Sequence, residues 1–68
     1  MMYKTPAGYV EGVPRSDDHG NYVLFPKDYR DTISAGDFIT DESGKISQIT
    51  EDAWEDINGI RYLKLYLK

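Results

Sequence analysis

The segment Ile33–Thr50, ISAGDFITDESGKISQIT, places the tightest local constraint on this chain. Asp37–Thr40 reads as a strand, Asp41-Glu42-Ser43-Gly44 as a turn and Lys45–Thr50 as the returning strand. Asp suits the first position of a type I turn. The last position requires the left-handed region, which Gly44 enters without a Cβ to clash. A three-residue loop closed by such a bulge matches the twist of paired strands. That turn sets Thr40 opposite Ile46, Ile39 opposite Ser47 and Phe38 opposite Gln48. Phe38 and Ile46 then share one face, and Ile39 and Ile49 the other. A hairpin apolar on both faces suits a strongly curled sheet better than a flat one.

The flanking segments carry the same punctuation. Tyr3–Gly8 contains Pro6 and Gly8, so residues 1–8 read as a flexible arm. Tyr9–Val13 reads as a short strand stopped by Pro14. Arg15–Asn21 is polar or glycine throughout and has the composition of an exposed loop. Tyr22–Phe25 is the next strand, halted by Pro26, and Lys27–Asp31 suits one helical or 3₁₀ turn after the proline.

The C-terminal third admits two readings. Thr50 caps a short helix over Glu51–Ile57, ended by Asn58-Gly59; or Asn58-Gly59 is the two-residue turn of a second hairpin. Ile60–Lys68 reads as a strand, with Leu63, Leu65 and Leu67 on one side and Tyr62, Lys64 and Tyr66 on the other. A helical tail with Arg61, Lys64 and Lys68 in one stripe is the alternative; β-branched and aromatic residues favour the strand. The expected architecture is mainly β: one small domain over residues 1–68, a curled sheet or barrel of about five short strands with one short helical turn.

A chain of 68 residues buries only about 60% of its unfolded surface, so its stability is marginal. Without cysteine it has neither disulfide nor thiolate zinc site to reinforce it. Self-association is the remaining route to further burial, and an apolar strand Ile60–Lys68 at a sheet edge is the element expected to pair with a copy or a partner. The net charge of −4 argues against coating nucleic acid, which depends on Lys and Arg meeting phosphates. No apolar run approaches a membrane span, and no signal-peptide core is expected after Met1. A virion or a host cytoplasm is the expected setting, rather than that of a disulfide-stabilised secreted protein.

Few residues suggest chemistry. Asp17-Asp18-His19 is the only place where histidine meets carboxylates, and no further ligand at usable spacing completes a metal site there. Ser16 and His19 lack the convergence of a nucleophilic triad. Asp37, Asp41 and Glu42 depart from the alternate-acid order of a calcium loop. No catalytic residue, cofactor or metal is therefore expected. Glu51, Asp52, Glu55 and Asp56 surround Ala53-Trp54. Trp54 is either the core plug of a small domain, with the acids solvated, or an interface anchor. In the second case the acids imitate a row of phosphates, as in an inhibitor of a basic site on a host enzyme. Trp54, Glu51, Asp52, Glu55, Asp56, Tyr62, Leu65 and Tyr66 are the candidate interaction residues. Exposed Tyr and Trp also suit a carbohydrate-binding module.

Residues 33–46, with Ala35-Gly36-Asp37, an apolar strand and an acidic-Ser-Gly-Lys turn, resemble a hairpin of bacteriophage capsid decoration and head-fibre proteins. That resemblance implies a structural virion role without catalysis. Trp54–Tyr62, with its Asn58-Gly59, is similar to the hairpins of choline-binding cell-wall repeats, which stack in several copies where this chain has one. The function expected from these observations is non-enzymatic protein–protein interaction. The turn assignment has a direct test: Gly44→Ala should destabilise the fold by about 1 kcal/mol in denaturant melts, and no change would contradict it.

Overall fold

The computed structural model of the protein describes residues 1–68. Seven strands and one 3₁₀ turn follow in order: β1 (Met2–Thr5), β2 (Gly8–Glu11), β3 (Val13–Asp17), β4 (Gly20–Pro26), the turn Lys27–Asp31, β5 (Phe38–Thr40), β6 (Ile46–Ile57) and β7 (Ile60–Leu67). They form one antiparallel sheet in the spatial order β2-β1-β5-β6-β7-β4-β3. The mainly β class and the helical turn at Lys27–Asp31 are as expected, with seven strands in place of about five.

Two features curl this sheet. β2 and β3 lie at opposite ends of the strand order, yet only Gly12 separates them in sequence. The two ends must therefore approach within one residue of each other, although no ladder joins them and the sheet stays open. At that corner the Gly12 N–H donates to the Met1 carbonyl at 2.8 Å, and the Met1 nitrogen donates back to the Gly12 carbonyl at 2.9 Å. The second feature is β6. Its first residues pair with β5 and the remainder with β7, and a bulge at Thr50 falls where β7 pairing begins. The extra residue inverts the alternation. Before it Ser47 and Ile49 face inward; after it Asp52, Trp54 and Asp56 share the face of Leu63 and Leu65, and Glu51, Ala53 and Glu55 turn outward.

The core collects one or two side chains from nearly every element: Tyr3, Val10, Val23, Phe25, Ile33, Ile39, Ile49, Leu63 and Leu65. Tyr3 meets Phe25 edge-on with ring centroids 5.6 Å apart, an arrangement that the aromatic quadrupoles favour. Ile33 enters directly behind the 3₁₀ turn, its N–H bonded to the Tyr29 carbonyl at 2.9 Å. On the outer side Tyr22 and Leu24 are also buried, so both faces of the β4–β7 region are apolar, as a curled sheet allows.

The central hairpin has the expected register, Phe38↔Gln48, Ile39↔Ser47 and Thr40↔Ile46. Gly44 sits at φ +90°. The Asp41 carboxylate accepts from the Ser43 and Lys45 N–H groups at 2.9 and 3.0 Å and from the Ser43 hydroxyl at 2.6 Å. Asn58 and Gly59, at φ +52° and +81°, form the two-residue turn, so Glu51–Ile57 is strand and not helix. Ile60–Leu67 is likewise strand.

Other expectations are corrected. Residues 1–8 are not an arm: Met2–Thr5 pairs with both β2 and β5, and Tyr3 and Thr5 are buried. Arg15–Asn21 is mostly strand, with only Asp18-His19 turning between Asp17 and Gly20. Pro14 lies inside β3 because β3 is an edge. The pair closing a two-residue hairpin is hydrogen-bonded, so Asp17, Arg15 and Val13 bond to β4 while Pro14, which has no N–H, faces outward. The last strand is not at an edge. β7 lies between β6 and β4 with ladders on both sides, so it has no free edge to offer a second copy.

The corner yields a test. A Cβ on Gly12 would stand 2.7 Å from Phe25 Cε1 and 2.7 Å from Val23 Cγ1, both in buried side chains. Gly12→Ala should therefore lower stability by about 1–3 kcal/mol through overpacking, measured by urea melts at unchanged slope. An unaltered midpoint would mean that the corner is not so closely packed.

Candidate functional site

The acidic stretch of β6 does not present one acidic row. Strand alternation after the bulge divides it, with Glu51 and Glu55 outward and Asp52 and Asp56 inward. Three of the four acids have partners within the chain. Asp52 lies 3.6 Å from Arg30 and accepts the Ala35 N–H at 3.1 Å. Glu55 lies 3.3 Å from Lys64 and 3.9 Å from Arg15. Asp56 holds Arg61 through two bonds of 3.0 and 3.4 Å. Glu51 alone has no cationic partner. The acids also protect the sheet, because β5 pairs only with the start of β6 and charge along the unpaired remainder discourages edge-to-edge association.

Trp54 is not the core plug. It is 45% exposed near the tip of the β6–β7 hairpin, with the Arg61 guanidinium 5.8 Å from its ring centroid. Leu65, by contrast, is fully buried and is a core residue, not an interaction residue. Its removal would act through the fold, where truncating a buried leucine to alanine costs about 2–5 kcal/mol. Tyr62 and Tyr66 are half-buried on the outer face.

That outer face gathers residues far apart in sequence around Lys64. Its Nζ lies 3.2 Å from Asp17 Oδ2 and 3.3 Å from Glu55 Oε1. The same ammonium stands 4.3 Å from the ring centroid of Tyr22 and 5.0 Å from that of Tyr66, and the Tyr66 hydroxyl donates to Asp17 Oδ2 at 2.7 Å. Lys64 thus joins β3, β4, β6 and β7, with its stem against apolar rings and its head against two carboxylates. The Tyr66 hydroxyl, together with Asp17 and Glu55, raises the Lys64 pKa, so the charged amine clasps the four strands together. The Asp17 pKa is lowered to about 2, chiefly by the Tyr66 hydroxyl, then by the His19 N–H and Lys64. Asp17 is therefore engaged in this cluster; His19 contributes its backbone N–H at 2.8 Å and an edge-on contact to Tyr66.

The exposed apolar side chains lie elsewhere. On the outer face of β2-β1-β5-β6, Tyr9 is 73%, Ile46 65%, Phe38 59% and Met2 39% exposed. The register aligns Tyr9, Lys4, Thr40 and Ile46 in one row across the four strands. Phe38 follows Thr40 along β5 and is the diagonal neighbour of Ile46. That Phe38 and Ile46 share one face was legible in the hairpin; the absence of any covering element over them was not.

Comparison with known proteins finds no family model, no curated protein and no solved structure that matches the chain.

The Lys64 cluster gives a pH prediction. A carboxyl whose pKa is depressed on folding stabilises the fold above its unfolded value of about 3.9, and that contribution is lost as pH falls toward about 2. Tyr66→Phe should move the Asp17 titration midpoint, followed by NMR of its carboxyl carbon, upward toward the ordinary value. An unmoved midpoint would contradict the 2.7 Å bond.

Proposed function

We propose that the protein is a non-enzymatic protein–protein interaction module that binds through the outer face of β2-β1-β5-β6. The observation that carries this reading is Phe38 beside Ile46 on one uncovered face, 59% and 65% exposed. One exposed apolar side chain is ordinary in any protein. Phe38 and Ile46 are neighbours, and Tyr9 and Met2 add apolar area to the same face beyond Lys4 and Thr40, of the kind that association covers. Burying such side chains contributes roughly 1.5–3 kcal/mol each before the costs of association. Trp54 and Ile60, 45% and 56% exposed, offer a second, smaller contact near the other hairpin tip.

Phe38 and Ile46 belong to the hairpin that resembles those of phage decoration and head-fibre proteins, so a small virion accessory is the setting this reading favours. The acidic-inhibitor reading has less support, because the four acids face two ways and three are neutralised within the chain. Carbohydrate stacking on Trp54 has less support too, since Arg61 lies over that ring.

The experiment is affinity capture from the native host with the wild-type chain and with Phe38→Ser/Ile46→Ser. The double variant changes only exposed positions and should keep the wild-type melting temperature within a few degrees while losing the captured partner. A partner held equally by both proteins would remove this face from the proposal. A multi-copy virion lattice as the partner fits the accessory reading, whereas a single discrete enzyme points to inhibition.

A further inference from the structure

One end of the curled sheet is open. There β3, the starts of β1, β4 and β6 and the ends of β5 and β7 surround a groove of about 370 Å³, within the size range of small-molecule sites. Its deep side is formed by core residues Tyr3, Val23 and Ile39, with Leu67, Pro14 and Met1 as apolar walls. Around the mouth stand Ser16, Asn21, Ser47 and Lys45. None of these four side chains is hydrogen-bonded or ion-paired within the chain.

Tyr3 supplies the second observation. Only 4% of this residue is exposed and it lines the groove, yet its hydroxyl makes no hydrogen bond within the chain. No polar side-chain atom of the protein is both buried and unpartnered, so the hydroxyl is the part of Tyr3 that reaches open space. A donor held this rigidly on an apolar floor, with a hydroxyl and amide rim above it, has its hydrogen-bonding capacity uncommitted.

The charges around the groove restrict the ligand. Lys45 and Asp41 both line it, whereas the Arg15 guanidinium is turned toward Glu55 on the outer face. Burial first, then Asp41, Glu42 and Glu11, raises the Tyr3 pKa, which marks the floor as unfavourable to an anion. A cation entering the mouth meets Lys45. A charged head therefore gains on one wall what it loses on the other, and it sheds hydration as well. A hydroxyl or amide head uses the free donors and acceptors without that cost.

We propose that this groove binds a small neutral amphiphile, an apolar body of about a dozen heavy atoms bearing an amide or hydroxyl head that bonds to Tyr3, Ser16, Asn21 and Ser47. The site is separate from the outer face of β2-β1-β5-β6 and does not depend on the interaction reading.

Four probes with one body and different heads test it: 4-phenylbutanamide, 4-phenyl-1-butanol, 4-phenylbutyrate and 4-phenylbutylamine. Each is titrated into the full ¹⁵N-labelled chain at constant pH and salt. The expected result is saturable binding of the two neutral probes, with a dissociation constant of about a millimolar or tighter. Shifts should centre on Tyr3, Ser16, Asn21, Ser47 and Leu67, and the charged probes should bind at least about fivefold more weakly. Tyr3→Phe, which keeps the ring, should weaken the amide probe about fivefold with an unchanged melting temperature. Because Tyr3 packs in the core, Ser47→Phe serves as an independent variant that fills the mouth and should abolish binding. Four results would overturn the proposal: no saturation, equal or tighter binding of the charged probes, shifts centred on Tyr9, Phe38 and Ile46, or full affinity in both variants.

Discussion

A sheet whose first and last strands are joined by one residue has no choice but to curl. Gly12 connects β2 to β3 across the whole strand order, and the other elements accommodate that closure. The side chains of Phe25 and Val23 come so near its backbone that any Cβ would collide with them. Curling lets a single layer enclose nine buried apolar residues that a flat sheet of this size would leave half covered. β6 makes the bend feasible: its bulge at Thr50 separates the part paired with β5 from the part paired with β7.

The same curl distributes the surfaces. The outer side of β3-β4-β7-β6 is sealed by a small secondary cluster, with Tyr22 and Leu24 buried beneath Lys64 and Tyr66. The outer side of β2-β1-β5-β6 has no such cover, and there Phe38, Ile46, Tyr9 and Met2 remain exposed. One face carries a polar clasp that completes its own contacts, while the other leaves its apolar area uncovered. The open end of the curl leaves the groove.

Local chemistry made part of this legible. The Asp41-Glu42-Ser43-Gly44 turn determined its own register because every contact defining it lies within a few residues, and Pro26 announced the 3₁₀ turn for the same reason. β3 escaped notice because an edge strand exposed on both faces carries no apolar alternation, so Arg15, Ser16 and Asp17 have the composition of a loop. The helix-or-hairpin ambiguity at Glu51–Ile57 arose because Asn58-Gly59 ends either element. The bulge at Thr50 was invisible: nothing in its side chain marks an extra residue, yet it decides which of Trp54 and Glu55 faces inward. The Lys64 cluster joins residues 17, 22, 55, 64 and 66, and β7 gains its central place by pairing with β4. Both depend on non-local topology that no window of sequence contains. Leu65 was misplaced on the surface for that reason.

β7 is the interior strand of a curled sheet. Native-state hydrogen exchange followed by NMR tests it most directly, because exchange distinguishes doubly paired strands from edges. Amides throughout Leu63–Tyr66 should exchange slowest, on both alternations of the strand, while Ser16 on the free edge of β3 should exchange rapidly. Alternating fast and slow amides along Leu63–Tyr66, the mark of a strand paired on one side only, would contradict it.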